Sequence, residues 1–105
     1  VATRPRLVLD DGQRLPDVPG LVLGRDPMAD GHVAVPLRDE ARALSKTHAA
    51  LRHESRGWIV EDLHSTNGVA VRRRGELLLA EPGIPFDLHP GDQVLVGERT
   101  IEVVL

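Results

Sequence analysis

The chain has 105 residues, a size that fits one domain around one core. Hydrophobic residues are 41% and charged residues 28%, ordinary for a globular domain, and no apolar run nears the ~18 residues of a membrane span. Cysteine is absent, which excludes disulfides and thiolate metal sites, and a net charge of −3 with only Trp58 and Phe86 as aromatics leaves little for a nucleic-acid surface.

Ten glycines and eight prolines are spread along the chain and cut it into short segments, which suits many short strands joined by tight turns. Arg6-Leu7-Val8-Leu9 reads as a strand, Asp10-Asp11-Gly12 as a turn, and Gln13-Arg14-Leu15 as a short return limited by Pro16. Leu21-Val22-Leu23-Gly24-Arg25 is a continuously apolar run, the pattern of a buried strand, and Gly24 marks a bulge or close backbone approach. Asp26 to Gly31 is a loop. His32-Val33-Ala34-Val35 is a strand closed by Pro36.

From Leu37 to Arg56 there is no glycine or proline. Leu37, Ala41, Leu44, His48 and Leu51 recur at helical spacing among good helix formers. The alternative is a loop to Leu44, then a strand with Thr47, Ala49 and Leu51 on one face. Trp58-Ile59-Val60-Glu61 and Val69-Ala70-Val71-Arg72 read as strands. Arg73-Arg74-Gly75-Glu76 is a hairpin turn into Leu77-Leu78-Leu79, and Pro85-Phe86-Asp87-Leu88 a short strand. Gln93-Val94-Leu95-Val96 turns at Gly97-Glu98 into a last strand, where Ile101, Val103 and Leu105 alternate with Thr100 and Glu102. About ten short strands predict a β-sandwich or barrel.

Three stretches carry the chemistry. Asp62-Leu63-His64-Ser65-Thr66-Asn67-Gly68 is a turn of hydroxyl and amide side chains, with Asn-Gly as a strong turn signal because both residues tolerate positive φ. Gly24-Arg25 and Ser45-Lys46-Thr47-His48 are its expected companions in one anion-binding surface. Lys46 is the single lysine among 13 basic residues.

Gly24-Arg25, Ser45-x-x-His48-Ala49, Asp62-Leu63-x-Ser65-Thr66-Asn67-Gly68 and Gly91-Asp92-x-Val94-x-Val96-Gly97 occur in this order at loop-to-loop distances. The combination resembles the forkhead-associated (FHA) domain. The resemblance implies an all-β sandwich of about ten or eleven short, mostly antiparallel strands, with apical loops that bind phosphothreonine peptides. It favours a loop before Ser45 and a strand through His48 to His53 over the helix. The stretch Pro36 to Leu44 is longer than the usual family loop and leaves room for a helical turn within Arg38 to Ala43.

A phosphothreonine carries roughly −1.5 to −2 charges and strong acceptor oxygens. By the resemblance, Arg25, Ser45, Lys46 and Thr66 bind the phosphate, and Asn67 grips the peptide backbone. Arg25 offers a planar fork for two parallel hydrogen bonds. Ser45 offers its hydroxyl and its backbone N–H. Gly24, His48, Asp62 and Gly68 serve as scaffold for the loops. Selectivity beyond phosphothreonine is expected from Asp26 to Gly31 and His64 to Asn67.

Ser45, His48 and Asp62 are also the residue types of a hydrolase triad, but no Gly-x-Ser-x-Gly elbow is present, and the expectation is no catalysis. His32, His48, His53, His64 and His89 lack zinc-motif spacing, so neither metal nor cofactor is expected. Arg72-Arg73-Arg74 reads as a solvated hairpin tip rather than a nucleic-acid patch. The expectation is a single FHA-like domain over 1–105, excised from a larger protein, with its ends close together. Its expected partner is a phosphothreonine-containing protein or another region of the parent chain. Neither nucleic acid nor membrane contact is expected, and the expected location is the cytoplasm. The alternative reading is a phospho-independent scaffold that binds through a sheet face.

Overall fold

The computed structural model describes residues 5–28 and 31–105. Ten strands are present: β1 (Arg6–Leu9), β2 (Gly20–Gly24), β3 (Val33–Pro36), β4 (Ala49–Glu54), β5 (Gly57–Asp62), β6 (Val69–Arg73), β7 (Glu76–Ala80), β8 (Phe86–Asp87), β9 (Gln93–Val96) and β10 (Arg99–Val104). They form two five-stranded sheets, ordered β1-β10-β9-β6-β7 and β3-β2-β4-β5-β8. Every pairing is antiparallel except β2 with β3. No helix occurs among the described residues, so the all-β sandwich expected from the sequence is the fold.

The core follows from the period-two alternation of each strand. Leu7, Leu9, Val69, Val71, Val94, Val96, Ile101 and Val103 come from one sheet, and Leu21, Leu23, Ala49, Leu51, Trp58 and Val60 from the other. All five residues of β2 are buried, as its unbroken apolar run implied. Leu105 breaks the expected alternation: it lies beyond β10 and is 75% exposed. Trp58 is 3% exposed, and its indole N–H donates to the Pro5 carbonyl at 2.8 Å, so it is a core anchor and no stacking platform. Arg6 lies opposite Val104, which brings the two ends of the described chain together.

The helix-like stretch from Leu37 to Arg56 divides instead into a loop and β4. Leu37, Leu44 and Leu51 are all buried, but from a loop and a strand rather than one helical stripe. No helical turn forms within Arg38 to Ala43; Arg42 takes a left-handed backbone, φ 56°, which a right-handed helix excludes. The Gln13–Leu15 return shrinks to one bridge, Val8 with Arg14.

The arginine run also departs from expectation. β6 and β7 are joined by Arg74 and Gly75, both at positive φ (50° and 82°), the backbone of a tight two-residue hairpin. Arg73, however, is not a solvated tip. Its guanidinium donates to both carboxylate oxygens of Asp92 (2.9 and 2.7 Å) and to the Asp87 carbonyl (3.0 Å), and lies 5.6 Å from the Phe86 ring centre. Asp92 is 1% exposed and also accepts the His89 N–H at 2.7 Å. This buried fork ties the β6 end to the turn before β9.

Candidate functional site

Three connections meet at one end of the sandwich: β2–β3 (residues 25–32), β3–β4 (37–48) and β5–β6 (63–68). Main-chain bonds join the first two. The N–H groups of Arg25 and Asp26 donate to the carbonyls of Ser45 and Lys46, each at 3.0 Å. A Cβ on Gly24 would collide with the Lys46 carbonyl, so only glycine lets the two chains approach this closely. The Met28 N–H reaches Thr47 Oγ1 at 3.1 Å and pins the β2–β3 loop to the β3–β4 loop. Ala29 and Asp30, within the loop expected to tune selectivity, lie outside the described residues.

His48 is fully buried at the centre of the three loops. Its Nδ1 accepts the Ser45 backbone N–H at 3.1 Å, and its Nε2 donates to the Gly68 carbonyl at 2.7 Å. Its own N–H donates to the Leu23 carbonyl at 2.8 Å and its carbonyl accepts from Leu63 at 3.0 Å. One ring therefore fixes the β3–β4 and β5–β6 loops against each other. The Ser45 backbone N–H is consumed by this contact, which corrects the expectation that it serves the phosphate; the hydroxyl is what Ser45 has to offer.

Both ring nitrogens of His48 are spoken for, and neither bonds to Ser45 Oγ. The Asp62 carboxylate, 1% exposed, accepts from the Ser65 N–H (2.9 Å) and the Ser65 hydroxyl (2.6 Å), not from His48. Ser45, His48 and Asp62 do not form a nucleophile–base–orienter relay.

The β5–β6 loop is built from within. Asp62 holds Ser65, and the Ser65 hydroxyl accepts the Gly68 N–H at 3.0 Å. Positive φ falls on His64 (59°) and Gly68 (78°), and Asn67 takes no left-handed angle. The left-handed step of the turn thus falls on Gly68 and not on Asn67. Its side-chain Nδ2 donates to the Ala43 carbonyl at 2.9 Å, which crosslinks this loop to the β3–β4 loop and leaves Oδ1 and the second N–H. The Thr66 N–H donates to Ser45 Oγ at 2.9 Å, and the two hydroxyls stand 3.5 Å apart.

The result is a frame of satisfied groups with unsatisfied ones on its rim. Arg25, Lys46, Thr66 and Asn67 are exposed and Ser45 is half-buried. Among the described residues, neither the Arg25 guanidinium nor the Lys46 ammonium has a hydrogen bond or ion pair. The structure thus brings the loops bearing Arg25, Ser45, Lys46, Thr66 and Asn67 together, with Gly24, His48, Asp62 and Gly68 inside the frame. Two positive side chains on loops whose backbones are tied together, with two hydroxyls 3.5 Å apart between those loops, are a donor set suited to a dianion. Reading the residues missed Ser65 and Thr47 as internal ties and the Ala43 carbonyl as the anchor of Asn67. Asp62-x-x-Ser65 spacing was the signal available for the first of these. A cavity of about 770 Å³, lined by Leu9, Leu15, Val35, Leu37 and Arg99 among others, shares none of the nine site residues.

The FHA domain family model matches residues 21–97. Among solved structures, a domain described for phosphothreonine-dependent FHA domain interactions is 27% identical with a TM-score of 0.67, over 98% of this chain and 97% of that one. The FHA domain of the CT664 protein from Chlamydia trachomatis is 23% identical with a TM-score of 0.69, over 98% of each chain. The FhaA FHA domain, solved with the intracellular domain of Rv3910, is 24% identical with a TM-score of 0.65, over 94% of this chain and 98% of that one. No curated protein matches the chain.

Proposed function

The chain belongs to the FHA family, and from that premise we propose that it is a phosphothreonine-dependent interaction module without catalysis. The observation that carries the reading is the frame itself: Arg25, whose guanidinium has no partner among the described residues, is tied by its backbone N–H to the Ser45 carbonyl, and the Ser45 hydroxyl is already aligned by the Thr66 N–H at 2.9 Å. Arg25 takes two phosphate oxygens through its planar fork. Ser45 and Thr66 supply hydroxyl donors, and Lys46 adds charge at the rim. Asn67 presents Oδ1 and an N–H to the extended peptide backbone. The solved relative at 27% identity supports this, since its interactions are described as phosphothreonine-dependent.

The partner is a protein phosphorylated by a Ser/Thr kinase, or a phosphorylated region of the parent chain. The phosphothreonine γ-methyl, absent from phosphoserine, makes a small apolar contact near Asn67. Calorimetric titration with phosphothreonine, phosphoserine and unphosphorylated forms of a peptide library tests the reading. Equal binding of the three forms would sink it.

One observation favours a second reading, a scaffold that binds through a sheet face. On edge strand β7, Leu77 and Leu79 are 56% and 75% exposed. Such a scaffold would lose its partner with Leu79→Glu and keep it with Arg25→Ala.

A further inference from the structure

We propose that Asp39 is a positioning residue for phosphopeptide binding, acting through Ala43 on Asn67. The inference rests on the phosphothreonine reading above and adds a residue that belongs to none of the recurring motifs. The β3–β4 loop runs from Leu37 to His48 with no regular structure of its own. A loop this long holds one path only where ties offset the ordering entropy of its irregular residues. His48 and the β2–β3 loop hold its end from Ser45 to Thr47, and Asp39 holds the turn before it. One carboxylate oxygen accepts the Ala43 N–H at 2.8 Å, and the other accepts the Leu44 N–H at 3.0 Å. Two consecutive amides are thereby gathered onto one side chain four and five residues earlier.

The consequence passes directly to the site. The Ala43–Leu44 peptide group, held at its Leu44 N–H by Asp39 at 3.0 Å, turns its Ala43 carbonyl to Asn67 Nδ2 at 2.9 Å. Leu44 is 5% exposed and anchors the same turn from below, where Gly97 leaves space: a Cβ on Gly97 would lie 2.9 Å from a Leu44 methyl and 3.1 Å from the Ala43 carbonyl. Arg42 takes φ 56° so that the loop can fold back over Asp39. Asn67 therefore has one amide proton held by a carbonyl whose direction Asp39 sets. That contact fixes the plane of the amide, and with it the direction of the Oδ1 and N–H left for the peptide. A side chain held this way loses less rotamer freedom on binding, which raises affinity without adding a contact.

Asp39 is not a ligand in this scheme. Its carboxylate is spent on backbone N–H groups, and a negative charge aimed at a phosphate would repel it. Its effect on affinity is expected to pass through Asn67, and this separates a positioning role from general support of the fold. Removing it should weaken phosphothreonine-peptide binding by about fivefold to tenfold, the affinity worth of roughly one net hydrogen bond.

The test is a double-mutant cycle by calorimetry, with an NMR arm on the free protein. Asp39→Ala should weaken the peptide by that factor in an otherwise unchanged protein, and have little further effect in an Asn67→Ala background. Asp39→Asn, which keeps one acceptor oxygen, should fall between wild type and Asp39→Ala. In the NMR arm, the Asn67 side-chain amide pair should shift on Asp39→Ala. An Asn67 amide that does not move, or an Asp39→Ala penalty that persists in full in the Asn67→Ala background, overturns the inference. Wild-type protein that ignores the phosphopeptide overturns the functional reading and Asp39's role in binding with it. A wild type that binds and is untouched by Asp39→Ala overturns the present inference alone.

Discussion

Ser45 Oγ accepts the backbone N–H of Thr66 at 2.9 Å, a contact between residues 21 apart in sequence and on separate loops. It makes the hydroxyl a structural acceptor before any ligand arrives and leaves its proton to a weak contact with Thr66 Oγ1, oxygen to oxygen 3.5 Å, that a phosphate oxygen can take over. Ser45→Ala removes donor and acceptor together. We expect it to cost about 1 kcal/mol of folding stability, measurable by urea denaturation. Its effect on phosphopeptide affinity should exceed that. The opposite order would assign Ser45 to the frame alone.

His48 is a larger commitment. Replacing it with alanine opens a cavity at a fully buried position and orphans the Ser45 N–H and the Gly68 carbonyl. His48→Ala should destabilise the fold by about 3 kcal/mol or more. A urea midpoint within error of wild type would show that the loops do not depend on this ring.

Gly24→Ala tests the close approach of the β2–β3 and β3–β4 loops. The added methyl meets the Lys46 carbonyl, which is backbone and cannot swing aside. The expected cost is about 1–3 kcal/mol, as for overpacking, together with weaker phosphopeptide binding because Arg25 and Ser45 are pushed apart. Unchanged stability and affinity would mean that the two segments separate freely.

The Arg73–Asp92 fork predicts a pH dependence. Burial raises the Asp92 pKa, but the Arg73 hydrogen bonds, the His89 N–H and the neighbouring positive charge outweigh it and hold the carboxyl below its ordinary value of 3.8. A carboxyl held low in the folded protein adds stability that is full above its unfolded pKa and is lost as pH falls through its folded one. Arg73→Ala leaves a buried carboxylate unpaired and should cost about 3–5 kcal/mol near neutral pH. That penalty should shrink as acid protonates Asp92. A penalty constant from pH 7 to pH 3 would rule out the ion pair as its source.

The fold and the loop chemistry were legible in the sequence to different depths. Strand alternation is a local signal, so Ile101 and Val103 were found from residues two apart, while Leu105, read by the same rule, lies past the end of the strand. Local spacing left the stretch from Leu37 to Arg56 open, because its buried leucines fall at helical spacing while their tertiary partners lie in other segments; the family resemblance decided for a loop and then a strand, which is what β4 shows. Ordered motifs pointed to the loops carrying Arg25, Ser45 and Asn67. They could not reveal which groups of those residues are already used. The Ser45 N–H goes to His48, and one Asn67 N–H goes to Ala43, through contacts that exist only once the loops meet. Arg73 looked like one of three solvated arginines because nothing nearby in sequence announces Asp92, 19 residues on.

The central claim is that Arg25 and the three-loop frame read a phosphothreonine. The most direct measurement is calorimetry of one library-selected phosphothreonine peptide against wild-type protein and Arg25→Ala, with the phosphoserine and unphosphorylated peptides alongside. Removing one partner of a hydrogen-bonded charge pair at an interface typically costs about 2–5 kcal/mol. From an affinity on the order of micromolar, about −8 kcal/mol, Arg25→Ala should lose roughly thirtyfold or more. The wild type should prefer phosphothreonine to both other forms. Equal affinity for all three peptides, or an Arg25→Ala protein that binds as wild type does, would contradict the account.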